Sequence, residues 1–294
     1  FVVWYSYPYG ENILGAMIDT SGFLLDTIDI PISLADNRQI YPSVAFDGRN
    51  HLAVWKDERT LDDLYGARID TSGSVIDTAG IPIFSWVGDY SAITFGSRNY
   101  LALFQKDHYI RGIRIDTSGT IIDTAGILIS TTSANSPSVT FGDNNYFAVW
   151  HSGAIKGTRV DTSGTMLDSS GIFISSAAYP QWYPYCIFNG KNYFIVWQDK
   201  RNGSDYDVYG ARVDTTGVVI NPDCIPISTE VVNQQFPKVT EGLSCLFGAP
   251  DIVKPEGSRT TPDVSTRAPL IFPKRSSCHT TRLFEPLNAT FGNC

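Results

Sequence analysis

Asp-Thr-Ser-Gly begins at Asp19, Asp70, Asp116 and Asp161 and returns as Asp-Thr-Thr-Gly at Asp214. An Asp beside a Gly turn invites acid–base chemistry by two carboxyls that share one proton. That chemistry uses a Gly two residues after the Asp and only two copies of the motif. Here the Gly comes three residues later, and five copies stand in parallel positions. The residues fit a type I turn, with Asp first, Gly fourth, and the Asp carboxylate able to accept N–H groups of its own turn. Asp77 and Asp123 open Asp-Thr-Ala-Gly without any Gly-x-x-x-x-Gly-Lys-Ser/Thr loop to hold phosphate, and read as a second turn.

Arg68, Arg114, Arg159 and Arg212 share one place in the pattern, where the first copy has Met17. A ring of guanidinium groups suits an anionic ligand. A binding site is asymmetric, however, and even spacing points to one structural Arg per unit, paired with an acid such as Asp57 or Asp199. Two loops are rich in oxygen ligands: Asp57, Glu58, Asp62 and Asp63 in one, Asp199, Asn202, Asp205 and Asp207 in the other. Such clusters suit Ca²⁺, yet the spacing is not that of an EF-hand, and the matching loop from His151 to Lys156 has no acid. Solvated loop charge is the favoured reading; if a metal binds, Asp199, Asp205 and Asp207 are its expected ligands. No other cofactor is implied.

His51, His108, His151 and His279 follow no metal-ligand spacing, no Ser lies in a Gly-x-Ser-x-Gly elbow, and Cys-x-x-Cys is absent. Cys186 replaces Val44 in an apolar run and reads as a small buried residue, and Cys224 stands where another unit has the turn residue Gly80. No catalytic residue is assigned. The remaining lead is aromatic. Trp86, Tyr179, Trp182 and Tyr183 lie in links between units, which emerge together on one face and can stack on sugars or contact proteins; the favoured alternative is that these rings cover the blade junctions.

The elements that position these residues come from the repeat. The Asp turns recur at intervals of 51, 46, 45 and 53 residues, and Trp4, Trp55, Phe104, Trp150 and Trp197 keep step with them. In the second unit, Pro42–Phe46, His51–Trp55, Tyr65–Asp70 and the pair Ser74–Asp77 with Ile81–Ile83 are short β-rich runs separated by Asn, Asp and Gly turns. Four strands per unit at this period predict an all-β fold, a β-propeller of four-stranded antiparallel blades. Pro31, Pro82 and Pro226 fall in the fourth strand, which must then be an edge. Residues 1–240 form the propeller domain. The chain enters at a second strand, and residues 236–240 match the missing first strand. Five blades can therefore close into a ring with 236–240 paired against 1–5. The alternative is part of a larger propeller, consistent with Phe at position 1. Residues 241–294 are a Pro-containing tail without the repeat and are assigned no fold.

Composition narrows the partners. The chain has 294 residues, 43% hydrophobic and 18% charged, with a net charge of −8. That excludes a disordered chain and disfavours nucleic acid, and no apolar run is long enough for a membrane helix. Five Cys make no disulfide framework.

Asn189-Gly190-Lys191-Asn192-Tyr193, Val196-Trp197-Gln198-Asp199-Lys200-Arg201-Asn202-Gly203 and Asp207-Val208-Tyr209 resemble bacterial secreted β-propeller repeats, similar in outline to those of TolB-type propellers. The resemblance spans residues 1–240 and implies a secreted or cell-envelope location. Sialidase-type propellers carry Ser-x-Asp-x-Gly-x-Thr-Trp at the hairpin where Asp70–Gly73 lies. Here the Gly is one residue late and the Trp is missing, so no catalytic residue carries over. The expected function is a non-catalytic extracellular or envelope module that binds a protein or glycan partner. The alternative is a sialidase-like glycoside hydrolase or lyase using loop carboxylates such as Asp62, Asp63 and Asp205.

Overall fold

Each repeat folds into one antiparallel sheet in the computed structural model, which describes residues 1–7, 11–26, 28–89 and 91–240. The first sheet contains β1 (Val2–Tyr5), β2 (Ile13–Ala16) and β3 (Ile30–Ser33). The second contains β4 (Gln39–Phe46), β5 (Asn50–Asp57), β6 (Asp63–Asp70) and β7 (Ile81–Phe84). The third contains β8 (Ala92–Phe95), β9 (Asn99–Lys106), β10 (Tyr109–Asp116) and β11 (Ile127–Leu128). The fourth contains β12 (Asn135–Gly142), β13 (Asn145–His151), β14 (Ile155–Asp161) and β15 (Ile172–Ser175). The fifth contains β16 (Gln181–Phe188), β17 (Asn192–Asp199), β18 (Asp207–Asp214) and β19 (Ile225–Ser228). Strands follow chain order within every sheet, and the prolines lie in the edge strands β3, β7 and β19, where no ladder donor is required. Among the described residues no helix is long and apolar enough to cross a membrane.

In the second, third and fourth sheets the second strand is apolar on both sides because both sides are covered. Leu52 and Val54 of β5 pack on the third sheet, while Ala53 and Trp55 pack on the first. The same alternation joins the third to the fourth sheet and the fourth to the fifth. Successive sheets stacked face to face in this way are propeller blades, and the fold is an all-β propeller of antiparallel blades. The recurring aromatic fills the side facing the preceding blade: Trp55, Phe104, Trp150 and Trp197 are all buried.

The hairpins joining strands one to two and three to four lie at one end of the blades, here termed the turn end. Asp70 Oδ1 accepts hydrogen bonds from the N–H of Ser72 and Ser74 at 2.8 and 3.0 Å, and Gly73 takes φ 85° as it re-enters the sheet. The copies at Asp116, Asp161 and Asp214 repeat these bonds. The second acid of each unit, rather than Asp57 or Asp199, holds the periodic Arg: Arg68 pairs with Asp77, Arg114 with Asp123 and Arg159 with Asp168, at 2.7–2.8 Å. Asp57 sits opposite Asp63, five residues from Arg68 and therefore about 17 Å along the strand. Each Arg also reaches the next blade, donating to the carbonyls of Thr117, Thr162 and Thr215 in turn. A phenol makes a second tie. Tyr100, Tyr146 and Tyr193 donate to the carbonyls of Asn50, Asn99 and Gly142 in the preceding blade.

The ends of the series differ from its middle. Ile18 is 42% exposed where Ile69, Ile115, Val160 and Val213 are 0%, and Ile227 is 50% exposed where Ile83, Ile129 and Ile174 are 6% or less. The outer faces of the first and fifth blades therefore do not cover each other. The ring-closing ladder of 236–240 against 1–5 is not among the pairings of the described residues, in which β1 joins β2. Phe236 nevertheless repeats the opening of an inner strand. It precedes a Pro with φ 54°, as Tyr41, Ser136 and Tyr183 do with 55°, 52° and 53°, and its ring meets that of Tyr183 at 4.7 Å. Residues 241–294 lie outside the described residues.

Candidate functional site

The opposite, loop end carries the links between blades and the loops between second and third strands. Inner strands begin there with a residue in the left-handed region followed by Pro, at Tyr41-Pro42, Ser136-Pro137 and Tyr183-Pro184. Pro lacks an N–H, so the ladder breaks and shifts register between Ile40 and Ser43, Asn135 and Ser138, and Trp182 and Tyr185. Ahead of the Pro, Asn135 and Trp182 are exposed, whereas Gln39, Ile40 and Gln181 are buried.

All six exposed Trp and Tyr side chains among the described residues lie at this end: Tyr5, Tyr7, Trp86, Tyr109, Tyr179 and Trp182. Trp182 and Tyr183 line a hollow of about 400 Å³ together with Asn135, Ser136 and His151. The Trp182 ring lies 5.6 Å from Tyr206, tilted by 32°, and meets His151 edge-on at 6.1 Å. Burial lowers the pKa of His151 and keeps its ring neutral at pH 7. Trp86 stands apart at the link from the second to the third blade. Its backbone N–H donates to Asp63 Oδ1 at 3.1 Å, and the residue holds φ 62° and is 61% exposed. Neither Trp86 nor Tyr179 lines the hollow.

The structure thus brings together two of the four aromatic residues expected on the face and adds His151, Asn135 and Tyr206. His151 follows no metal spacing and drew no role from sequence. The signal for it was positional: it stands where other blades have Lys56, Gln105 and Gln198.

The acids expected as metal ligands are engaged elsewhere. Asp199 accepts from Trp197 Nε1, Gln181 Nε2 and two nitrogens of Arg201, all within 2.8 Å. Burial alone would raise its pKa; the hydrogen bonds from Arg201, Gln181 and Trp197 outweigh it and hold the carboxyl below the usual range. Asp205 accepts from Ser204, and Asp207 from Asn202. Burial, then the charges of Asp199 and Asp205, push Asp207 up. No group of three or more acids, His or Cys among the described residues is arranged to hold a metal ion. Cys186 is buried as expected, and burial pushes its thiol up to about 12.

A second cavity, about 590 Å³, opens among the inner strands, where Thr94, Thr140, Tyr185 and Lys238 line it with apolar neighbours and no carboxylate. The Lys238 ammonium stands 4.1 Å over the Tyr185 ring. Asp62 pairs with Lys56 at 3.4 Å, and Asp63 accepts from Thr60 at 2.8 Å.

No protein-family model matches the chain. No curated protein matches it either. Similar solved structures include TolB from Acinetobacter baumannii, at 14% identity and a TM-score of 0.48 over 79% of this chain and 53% of that one. A GH43 endo-arabinanase from Bacillus licheniformis aligns at 15% identity and 0.43, over 71% of this chain and 87% of that one. A subtype N11 neuraminidase-like protein of A/flat-faced bat/Peru/033/2010 aligns at 12% and 0.45, over 62% and 51%. The chain spans about half the length of TolB, and likenesses of this degree assign no activity.

Proposed function

We propose that this chain is a non-catalytic binding module, secreted or held at the cell envelope, that engages a glycan with its loop end. The observation that carries the reading is the one-sided distribution of exposed Trp and Tyr rings. Every exposed Trp and Tyr among the described residues lies at the loop end, and none at the turn end. Rings that are apolar in the plane and polar at the rim suit a surface that is wet when free and covered when bound. Trp86 holds a left-handed backbone, and Trp182 precedes Tyr183, which does so too ahead of a Pro. The secreted location rests on the resemblance of the repeats to bacterial secreted propellers. The acidic balance of the chain supports a partner other than nucleic acid.

A glycoside-cleaving enzyme needs two acids facing one substrate at about 5 to 10 Å. Asp62 pairs with Lys56, Asp63 accepts from Thr60 and the Trp86 backbone N–H, and Asp205 accepts from Ser204, and no observation favours that reading over binding. Glycan-array binding by the 294-residue chain tests the proposal. Discrete hits that vanish in the Trp86→Ala, Trp182→Ala double variant are expected. A blank array for the wild-type chain overturns the glycan assignment, and steady release of reducing sugar from a bound hit overturns the non-catalytic one.

A further inference from the structure

Neighbouring blades meet at the loop end through one repeated pair of positions: the residue after the recurring aromatic in one blade, and the residue two before the inner-strand Pro position in the next. What fills that pair differs between junctions. Between the second and third blades it is an ion pair, Lys56 Nζ to Asp89 Oδ1 at 3.0 Å. Between the third and fourth it is an amide pair, in which Gln105 Nε2 donates to Asn135 Oδ1 and to the Ala134 carbonyl. Between the fourth and fifth the pair is His151 and Trp182. Their rings meet edge-on at 6.1 Å without a hydrogen bond, and the hollow of about 400 Å³ opens beside them.

We infer that this fourth-to-fifth-blade junction is a subsite for an uncharged pyranose unit of a glycan, stacked on Trp182. The inference rests on the binding-module reading and adds the place and the class of sugar. Trp182 offers an apolar plane, 36% exposed and backed by Tyr206. The C–H face of a pyranose lies flat on such a plane, and its hydroxyls point to the side. At the side stand the His151 imidazole, the Ser136 hydroxyl and the Asn135 amide, whose oxygen is already taken by Gln105. Each is neutral and able to exchange hydrogen bonds with a hydroxyl.

No carboxylate, ammonium or guanidinium lines the hollow. A uronate or sialate carboxylate buried there would lose its hydration with no counter-charge, which disfavours acidic sugars strongly. The Lys200 ammonium is directed to the Tyr206 ring, 5.4 Å from its centre. The walls are set before any ligand arrives, since Ser136 and Tyr183 hold left-handed backbone ahead of prolines. The contrast with these two junctions supplies the specificity argument: Lys56–Asp89 and Gln105–Asn135 bond each other, whereas His151 and Trp182 share no hydrogen bond and line the hollow.

The test uses the full 294-residue chain and a defined panel by titration calorimetry: neutral hexasaccharides of glucose, mannose, galactose and xylose units, beside oligogalacturonate and sialyllactose. Binding to at least one neutral oligomer is expected. It should fall at least about tenfold in Trp182→Ala, stay within about threefold in Trp182→Tyr, and fall by a smaller factor in His151→Leu; a tenfold change corresponds to about 1.4 kcal/mol. Unchanged thermal melts of Trp182→Tyr and His151→Leu separate loss of binding from loss of fold. Neutral-sugar binding that survives Trp182→Ala overturns the subsite and leaves the module reading standing. Binding confined to the acidic sugars overturns the class. Absence of binding to every sugar overturns this inference together with the reading beneath it.

Discussion

The turn end and the loop end are built from the two ends of the same strands, yet they obey different rules. At the turn end Asp70, Asp116, Asp161 and Asp214 close identical hairpins, and Arg68, Arg114 and Arg159 each bind an acid of their own blade and a Thr carbonyl of the next. At the loop end the equivalent positions hold Lys56, Gln105, His151 and Gln198, with a different partner in each case. Repetition persists where one backbone problem recurs, namely closing a hairpin and tying it to its neighbour. Where the chain only has to pass from blade to blade, side chains diverge, and chemistry becomes available there.

The fourth blade shows that the loop end tolerates loss of a polar anchor. In the second and fifth blades the buried Trp donates to an Asp two residues on, Trp55 to Asp57 and Trp197 to Asp199, both at 2.8 Å, and Arg59 or Arg201 neutralises that acid. The fourth blade has Ser152 for the Asp and Ala154 for the Arg, and Trp150 Nε1 and Ser152 Oγ are buried without a hydrogen-bond partner. Acid and base disappear together, as they must if neither buried charge is to stand alone.

The largest test of the contrast is acidification, which acts on every turn at once. Asp70 and Asp214 lie below the usual carboxyl range because of the hydroxyls of Ser72 and Thr216 and neighbouring N–H groups. In Asp116, Asp161 and Asp77 burial pushes upward and is outweighed by hydrogen bonds from Ser118 and Thr120, Ser163 and Thr165, and Arg68 respectively. Folded pKa values below the unfolded value of about 3.9 mean that the unfolded chain binds more protons between the two. Stability from these groups is present above that value and drains away as pH falls below about 4. A melting-temperature profile flat across that region would show that the turns contribute no linkage.

Arg114→Ala is expected to remove about 2–3 kcal/mol in denaturant unfolding, since it breaks charge-assisted bonds to Asp123 and Thr162 across a blade junction. Arg212→Ala should lose less than half of that, because Arg212 bonds Asn221 alone among the described residues. Equal losses would mean that the inter-blade bond does not contribute. Installing the missing anchor as Ser152→Asp with Ala154→Arg should stabilise by about 1 kcal/mol, whereas Ser152→Asp by itself should destabilise. A single variant as stable as the double would refute the paired-loss account. The smallest effect belongs to Trp182→Ala, expected to change unfolding free energy by under about 1 kcal/mol. A larger loss would mark the loop-end aromatics as packing residues.

Much of the architecture was legible because it repeats. Gly three residues after Asp marked the turns, and the prolines of β3, β7 and β19 marked the outer edge. The Arg partner was misread as Asp57 or Asp199 because linear proximity says nothing about which end of a strand a residue reaches. Asp199 read as solvated loop charge, with metal ligation as the alternative, for a related reason: a carboxylate in a polar loop reads the same whether it faces solvent or a buried indole.

The sequence by itself determined the blades, since the turn chemistry and the apolar runs between turns are local. The tertiary structure decided which side chains share a junction. His151 and Trp182 are 31 positions apart in the chain (182 − 151) and meet only because stacked blades bring the end of one second strand beside the start of the next inner strand. Whether that meeting leaves an ion pair, an amide pair or an open hollow depends on two residues that no local rule connects.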